Sequence, residues 1–287
     1  MQLSEALSWG VQSMKLSGIQ DAHVDILAFL SHVLVKEKSY IYSNLSMQCP
    51  DVVFKKFSSM VEERVRHEPS AYIMGKREFM SLNFMVNKNV LIPRPETEHL
   101  VEETLTLFPQ ADGSAYVGLD IGTGCGNIAL SLAKYNRNFH IYATDISSKA
   151  IKVARENRKL LNLEKSVSFI NCNLWNYFKK EKWRGRINVL ASNPPYVRSG
   201  QLNDFAVDLS YEPKKALDGG ADGLSFYKPL ADAGEFLLKK NGYLIMEIGQ
   251  GQEESVKNIL RNKKVFQDII VKKDYSGIDR IIVARRK

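Results

Sequence analysis

From about residue 115 onward the chain alternates short apolar runs with helical patterns, and this alternation constrains the fold more than any other feature. The runs are Val117–Asp120, His140–Asp145, Val167–Asn171, Ile187–Ala191, Gly242–Ile248, Val265 to about Lys272, and Arg280–Ala284. Helical patterns fill the gaps near 127–135, 147–161, 223–240 and 251–262. Strands that alternate with helices build a sheet covered on both faces, so the expected fold class is α/β, doubly wound and mostly parallel. In such sheets ligands bind outside the C-terminal ends of the strands. The residues that end each run are therefore the first place to look for chemistry.

The first run ends in Gly122-Thr123-Gly124-Cys125-Gly126, just before a helix. Alternate glycines let the backbone turn tightly and let a ligand lie against it. The spacing is neither the Gly-x-Gly-x-x-Gly of dinucleotide folds nor a phosphate loop with Lys-Ser/Thr. It suits the amino-acid tail and ribose of a cofactor, or simply a structural turn. Asp145 ends the second run about 20 residues later, where a carboxylate accepts hydrogen bonds from both ribose hydroxyls. It is equally placed to cap the helix at Ser147-Ser148. After the third run, Asn173 is a candidate reader of an adenine amine, with Leu174 beside the ring.

The fourth run stops at Ser192 and passes into Asn193-Pro194-Pro195-Tyr196. Two prolines forbid further ladder pairing. The Asn193 side-chain oxygen and the Pro194 carbonyl offer two acceptors for both hydrogens of a planar –NH2 group, and Tyr196 offers a face to stack on it. A plain strand-ending turn is the bland alternative.

Residues 1 to about 75 read as helices. Leu3, Leu7, Val11, Met14 and Leu16 form one stripe, 25–34 a second helix, and Val53, Phe57, Met60, Val61 and Val65 a third after Pro50. Between about 76 and 92 the period changes to two, with Asn87-Lys88-Asn89 as the expected hairpin turn. Pro93-Arg94-Pro95 ends the second strand, and a helix runs from Glu96 to about Leu107 with a proline and acids in its first turn.

With 287 residues, 44% apolar and 25% charged, the chain is expected to form two soluble domains. No run approaches the roughly 18 apolar residues of a membrane helix. The start lacks a basic segment and a long apolar core, so no secretory signal is read there. Cys49, Cys125 and Cys172 are odd in number, with no Cys-x-x-Cys pair, and His23, His32 and His67 share no metal spacing. That pattern predicts free thiols in a reducing cytoplasm and no metal site. The net charge of +8 is concentrated late, at Lys179–Arg186, Arg261–Lys264, Lys272-Lys273 and Arg285–Lys287. Solvated faces and contact with RNA or an RNA-bound protein both fit, and charge alone does not decide between them.

The order glycine loop, ribose acid, adenine reader and Asn-Pro-Pro-Tyr resembles the Rossmann-like S-adenosylmethionine-dependent methyltransferases. Asn-Pro-Pro-Tyr itself is similar to the signature of enzymes that methylate planar amino or amide nitrogens. Further segments resemble one family within that class, from about residue 20 to the end. They are Glu68-Pro69, Ala71–Gly75, Arg77-Glu78-Phe79, Leu91–Glu98, Tyr211-Glu212-Pro213, Ala216-Leu217, Gly220-x-Asp222-Gly223-Leu224, Glu247-Ile248-Gly249 and Asp274-Tyr275-x-Gly277-x-Asp279-Arg280. The family is the peptide chain release factor N(5)-glutamine methyltransferases. Leu91–Glu98 is its most specific segment, because nucleic-acid adenine methyltransferases with Asn-Pro-Pro-Tyr do not normally carry it.

The resemblance implies an N-terminal helical substrate-binding domain (1–75), a β-hairpin linker (76–95) and a Rossmann-like methyltransferase domain (96–287). It implies methyl transfer from S-adenosyl-L-methionine to the glutamine amide of the Gly-Gly-Gln motif in class-1 release factors, modulating translation termination. Implied cofactor contacts are Gly122, Thr123, Gly124, Cys125, Gly126, Asp145, Asn173, Leu174 and Asn193. Asn193, Pro194 and Tyr196 are the implied catalytic residues, and Pro195 stiffens the turn. Tyr196 is expected to pack on the glutamine stem, while Phe79, Arg94 and Glu96 fold over the mouth of the site as further substrate contacts. The expected partner is a release factor, with no membrane, no direct specific nucleic-acid binding and a monomeric chain. Two positions depart from the family's usual Asp: Asn173, which keeps an acceptor for the adenine amine, and Asn188, on the strand's flank.

Overall fold

The computed structural model of the protein describes residues 1–110, 113–202 and 207–287. The chain divides into two compact units. The first contains α1 (Leu3–Leu16), α2 (Ala22–Leu34), α3 (Lys38–Ser43), α4 (Asp51–Val65) and α5 (Ser70–Met74). On α1 the buried positions are Leu3, Ala6, Gly10 and Met14, spaced by three and four. Leu16 lies off that face and is exposed, which corrects the expected stripe. A Cβ on Gly10 would stand 2.5 Å from Ile26 Cδ1 and 3.0 Å from Phe57 Cζ, so glycine there lets α1 press against α2 and α4.

The first unit also takes in the distant 3-10 turn Val207–Tyr211. Buried Arg64 on α4 pairs with Asp25 at 2.7 Å and with Asp208 at 2.8 Å. Tyr211 adds a hydroxyl hydrogen bond of 2.7 Å to the Arg66 carbonyl. A buried guanidinium between two carboxylates satisfies its charge without water. A division made along the chain has no place for this return.

The second unit begins at Arg77, within the first strand of a hairpin made of β1 (Lys76–Phe79) and β2 (Leu82–Met85). Its turn is Met80-Ser81, with φ of 50° and 53°, not the expected Asn87-Lys88-Asn89. Two left-handed residues in succession match the twist of paired strands. Met and Ser rarely adopt this geometry, but Met80 is held at both ends: its N–H donates to Glu98 Oε1 at 2.5 Å, and its carbonyl accepts from the Tyr135 hydroxyl. Asn87–Asn89 is a later turn, after which Val90–Ile92 runs outside any strand.

Beyond the hairpin come α6 (Glu98–Leu107), β3 (Tyr116–Ile121), α7 (Asn127–Tyr135), β4 (Phe139–Asp145), α8 (Ser148–Leu160), β5 (Val167–Asn171) and β6 (Ile187–Ser192). Then follow α9 (Tyr227–Leu237), β7 (Leu238–Glu247), α10 (Glu253–Asn262), β8 (Phe266–Lys273) and β9 (Asp279–Arg286). The sheet order is β5-β4-β3-β6-β7-β9-β8, and only β9 runs antiparallel to its neighbours. Order reverses between β3 and β6, the switch point where such sheets open a crevice. Asn188 on β6 accepts from Val117 N at 2.9 Å and from Lys239 Nζ at 3.2 Å, a structural task at the strand's flank.

Candidate active site

The crevice begins where β3 ends. Gly122, Gly124 and Gly126 have φ of 78°, 55° and 88°, a region closed to most side chains. Gly122 N and Thr123 N both donate to Thr144 O at 2.9 Å, which ties the loop to β4. The Thr123 hydroxyl donates to buried Asp120 at 2.6 Å. Burial pushes the Asp120 carboxyl up to about 7, against the Thr123 hydroxyl and the Ala129 amide, which favour its charged form.

Asp145 lies at the end of β4 with both carboxylate oxygens engaged. Oδ2 accepts from Gly124 N at 2.9 Å and Oδ1 from Ser147 N at 2.8 Å. The cap of α8 is Ser147, whose hydroxyl accepts from Ala150 N at 3.2 Å, so the helix-capping role expected for Asp145 passes to its neighbour. Burial raises the Asp145 pKa, and the two amides oppose the rise. Each oxygen of the charged form keeps acceptor capacity beyond its one amide.

At the end of β6, Ser192 donates to Ile121 O at 2.7 Å and binds the two strand ends together. Asn193 Nδ2 donates to Thr97 Oγ1 at 3.0 Å, and Thr97 Oγ1 donates to Glu247 Oε2 at 2.6 Å. The Tyr196 hydroxyl donates to the other oxygen of Glu247 at 3.1 Å. Gln252 Nε2 donates to Tyr196 O at 3.0 Å, while its Oε1 accepts from Tyr227 and from Gly249 N. Both ends of Asn193–Tyr196 thus rest on Glu247, which is buried at the end of β7. A Cβ on Gly219 would lie 2.8 Å from Tyr196 Cα and 2.9 Å from Pro195 O, so the turn also needs a glycine beside it.

A cleft of about 530 Å³ joins these pieces, and all of its lining lies in the second unit. Gly122, Gly124, Asp145, Asn173, Leu174, Asn193, Pro194 and Pro195 line it. Leu174 holds a left-handed φ of 48°, a strained backbone of the kind that gathers at binding sites. Other sequence candidates stand elsewhere. Cys125 is buried with its thiol pushed up to about 12, and Gly126 packs against Leu130 and Phe169. Tyr196 is half-buried and its hydroxyl is turned to Glu247, where burial raises its pKa. Phe79 is 1% exposed, edge-on to Phe84 at 6.1 Å, and is a core residue of the hairpin rather than part of the mouth. Arg94 pairs with buried Glu212, which also accepts Ile92 N at 3.0 Å, so the pair braces the Leu91–Pro95 run. Glu96 sits in the 3-10 turn Pro95–Thr97, where its charge acts on Glu247.

Sequence reasoning missed Thr97 and Asn157 as members of the site, and it quoted Glu212 and Glu247 only as parts of motifs. Asn157, fully buried on α8, donates to Met85 O at 3.0 Å and to Cys125 O at 2.9 Å, and accepts Met85 N at 2.7 Å. It clamps the hairpin to the glycine loop. The available signal was an asparagine on the apolar face of an amphipathic helix. Asn157→Ala is expected to lower stability by about 3 kcal/mol in urea titration, because three backbone groups, the buried Cys125 carbonyl among them, lose their partner.

Among the described residues, no group of three or more His, Cys, Asp or Glu side chains is placed to hold a metal, and no helix is long and apolar enough to cross a membrane.

Residues 5–75 match the PrmC N-terminal domain family, and residues 112–278 match a methyltransferase domain family. A release factor glutamine methyltransferase from Clostridium acetobutylicum is 35% identical over 100% of this chain and 99% of its own length. One from Bacillus cereus is 34% identical over 99% of each chain. Among solved structures, the N-terminal domain of human METTL16 in complex with SAH is similar in fold, with a TM-score of 0.54. It is 16% identical and covers 89% of this chain and 93% of that one.

Proposed function

Because this chain belongs to the release factor glutamine methyltransferase family, we propose that it transfers a methyl group from S-adenosylmethionine to the glutamine side-chain amide of the Gly-Gly-Gln motif in class-1 release factors. The observation that carries this reading to the atoms is Asn193, held at the switch point beside the glycine loop.

The cleft suits the cofactor. A Cβ at Gly122 or Gly124 would project into open space that both residues line, leaving room for a ligand to lie on bare backbone. Asp145 retains acceptor capacity for ribose hydroxyls, and Asn173 offers an acceptor and a donor to an adenine edge with Leu174 beside it. When bound, S-adenosylmethionine supplies a methyl group already activated on its sulfonium.

A carboxamide nitrogen is a poor nucleophile because its lone pair is delocalised into the carbonyl. Asn193 Oδ1 and the Pro194 carbonyl accept its two hydrogens, aim the nitrogen and stabilise the positive charge that builds on it during transfer. Pro195 keeps the turn rigid, so the acceptors need no reorganisation. No strong base is required. The methylated nitrogen is acidic and releases its proton to water after transfer.

Asn-Pro-Pro-Tyr by itself suits an adenine amine as well as an amide. Incubation with methyl-labelled S-adenosylmethionine and purified release factor, DNA or RNA separates the readings. The label is expected on the release factor glutamine; label on adenine alone would overturn the proposal.

A further inference from the structure

We propose that Thr97 and Glu247 are positioning residues that hold the Asn193 carboxamide with Oδ1 toward the cleft and Nδ2 away from it. The inference rests on the amide-methylation reading, since it concerns which end of Asn193 meets the acceptor.

The direction follows from counting protons. A hydroxyl has one proton to donate, whereas an ionised carboxylate only accepts. Thr97 Oγ1 lies 2.6 Å from Glu247 Oε2, so its proton is committed there. Oγ1 then faces Asn193, 3.0 Å away, with lone pairs only. The atom of Asn193 that meets it must carry hydrogens and is therefore Nδ2. The amide oxygen is left for the cleft that Asn193 lines. With the carboxamide reversed, two acceptors would meet at Thr97, and an –NH2 group would confront the –NH2 of the incoming amide.

Glu247 is suited to set this direction. It is 1% exposed, and it receives hydroxyl donors on both oxygens, from Thr97 and from Tyr196. Burial raises its pKa and the Glu96 charge adds to the rise, while the Thr97 hydroxyl, the Arg280 guanidinium and the Tyr196 hydroxyl oppose it and favour the carboxylate. Arg280 is itself anchored by Asp274 at 3.3 Å. Tyr227 packs beside the group with its hydroxyl on the Glu247 carbonyl at 3.4 Å and on Gln252 at 2.9 Å. Thr97 is thus a one-way connector between a buried carboxylate and a substrate-facing amide.

The test replaces Thr97 by Ser, Ala and Val, and measures single-turnover transfer to a release factor, cofactor affinity, release factor KM and thermal melting. Thr97→Ser keeps the hydroxyl and is expected to transfer close to the wild-type rate. Thr97→Ala and Thr97→Val are expected to lose on the order of 100-fold in transfer rate, with cofactor affinity and release factor KM unchanged. Thr97→Ala and Thr97→Ser differ by one oxygen, so that pair reads the same effect should the valine variant fail to fold. Wild-type rates in Thr97→Ala, or an equal loss in Thr97→Ser, would overturn the relay. A wild-type protein that labels no release factor would instead overturn the functional reading beneath it.

Discussion

Asn193→Ala is expected to reduce methyl transfer to a release factor by about 10²- to 10³-fold, the scale found when one preorganised hydrogen-bonding group is removed from a reacting centre. Cofactor affinity should change little, because the glycine loop, Asp145, Asn173 and Leu174 line the cleft without Asn193. The loss belongs in the transfer step: without Oδ1, one amide hydrogen faces no acceptor and the nitrogen is no longer aimed. Single-turnover transfer and equilibrium cofactor binding separate the two quantities. Unchanged transfer would remove Asn193 from the mechanism. A parallel loss of cofactor binding would make it a structural support of the cofactor pocket.

Asp145→Ala is expected to act on the other half of the reaction. The carboxylate holds Gly124 N and Ser147 N, and its remaining acceptor capacity faces the cleft. Removing it releases the loop backbone and takes away the partner proposed for the ribose hydroxyls. Losing two hydrogen bonds to a charged group costs about 3 kcal/mol, or about 100-fold in cofactor Kd. Calorimetric titration with S-adenosylmethionine measures this directly, and transfer at saturating cofactor should recover much of the wild-type rate. An unaltered Kd would confine Asp145 to bracing the glycine loop.

The sheet strands were legible because apolar runs of the right length are separated by helical periods. Val167–Asn171 reads from the sequence with the bounds that the structure shows, and α7 likewise coincides with 127–135. β7 begins earlier than its apolar run because Leu238–Asn241 extends the strand through polar residues across a bulge against β6. The hairpin was misread because its turn is Met80-Ser81, a pair without the Asn-Gly chemistry that marks such turns, held by Glu98 and Tyr135 from distant helices. Phe79 has an outward role in the sequence reading, yet packing turns it inward, edge-on to Phe84. Motif membership does not say which face of a residue meets solvent.

The sequence alone determined the alternation of strands and helices, the glycine loop, and the polar residues that end successive strands. These depend on local periodicity and on backbone chemistry carried by neighbouring residues. Only the tertiary structure decided that β3 and β6 lie side by side, so that Gly122 and Asn193 share one cleft. It alone also joined Asn193 to Thr97, 96 residues away, and Thr97 to Glu247, 150 residues away. Strand order and hydrogen-bond direction are set by which distant groups packing brings together, and no local pattern encodes that choice.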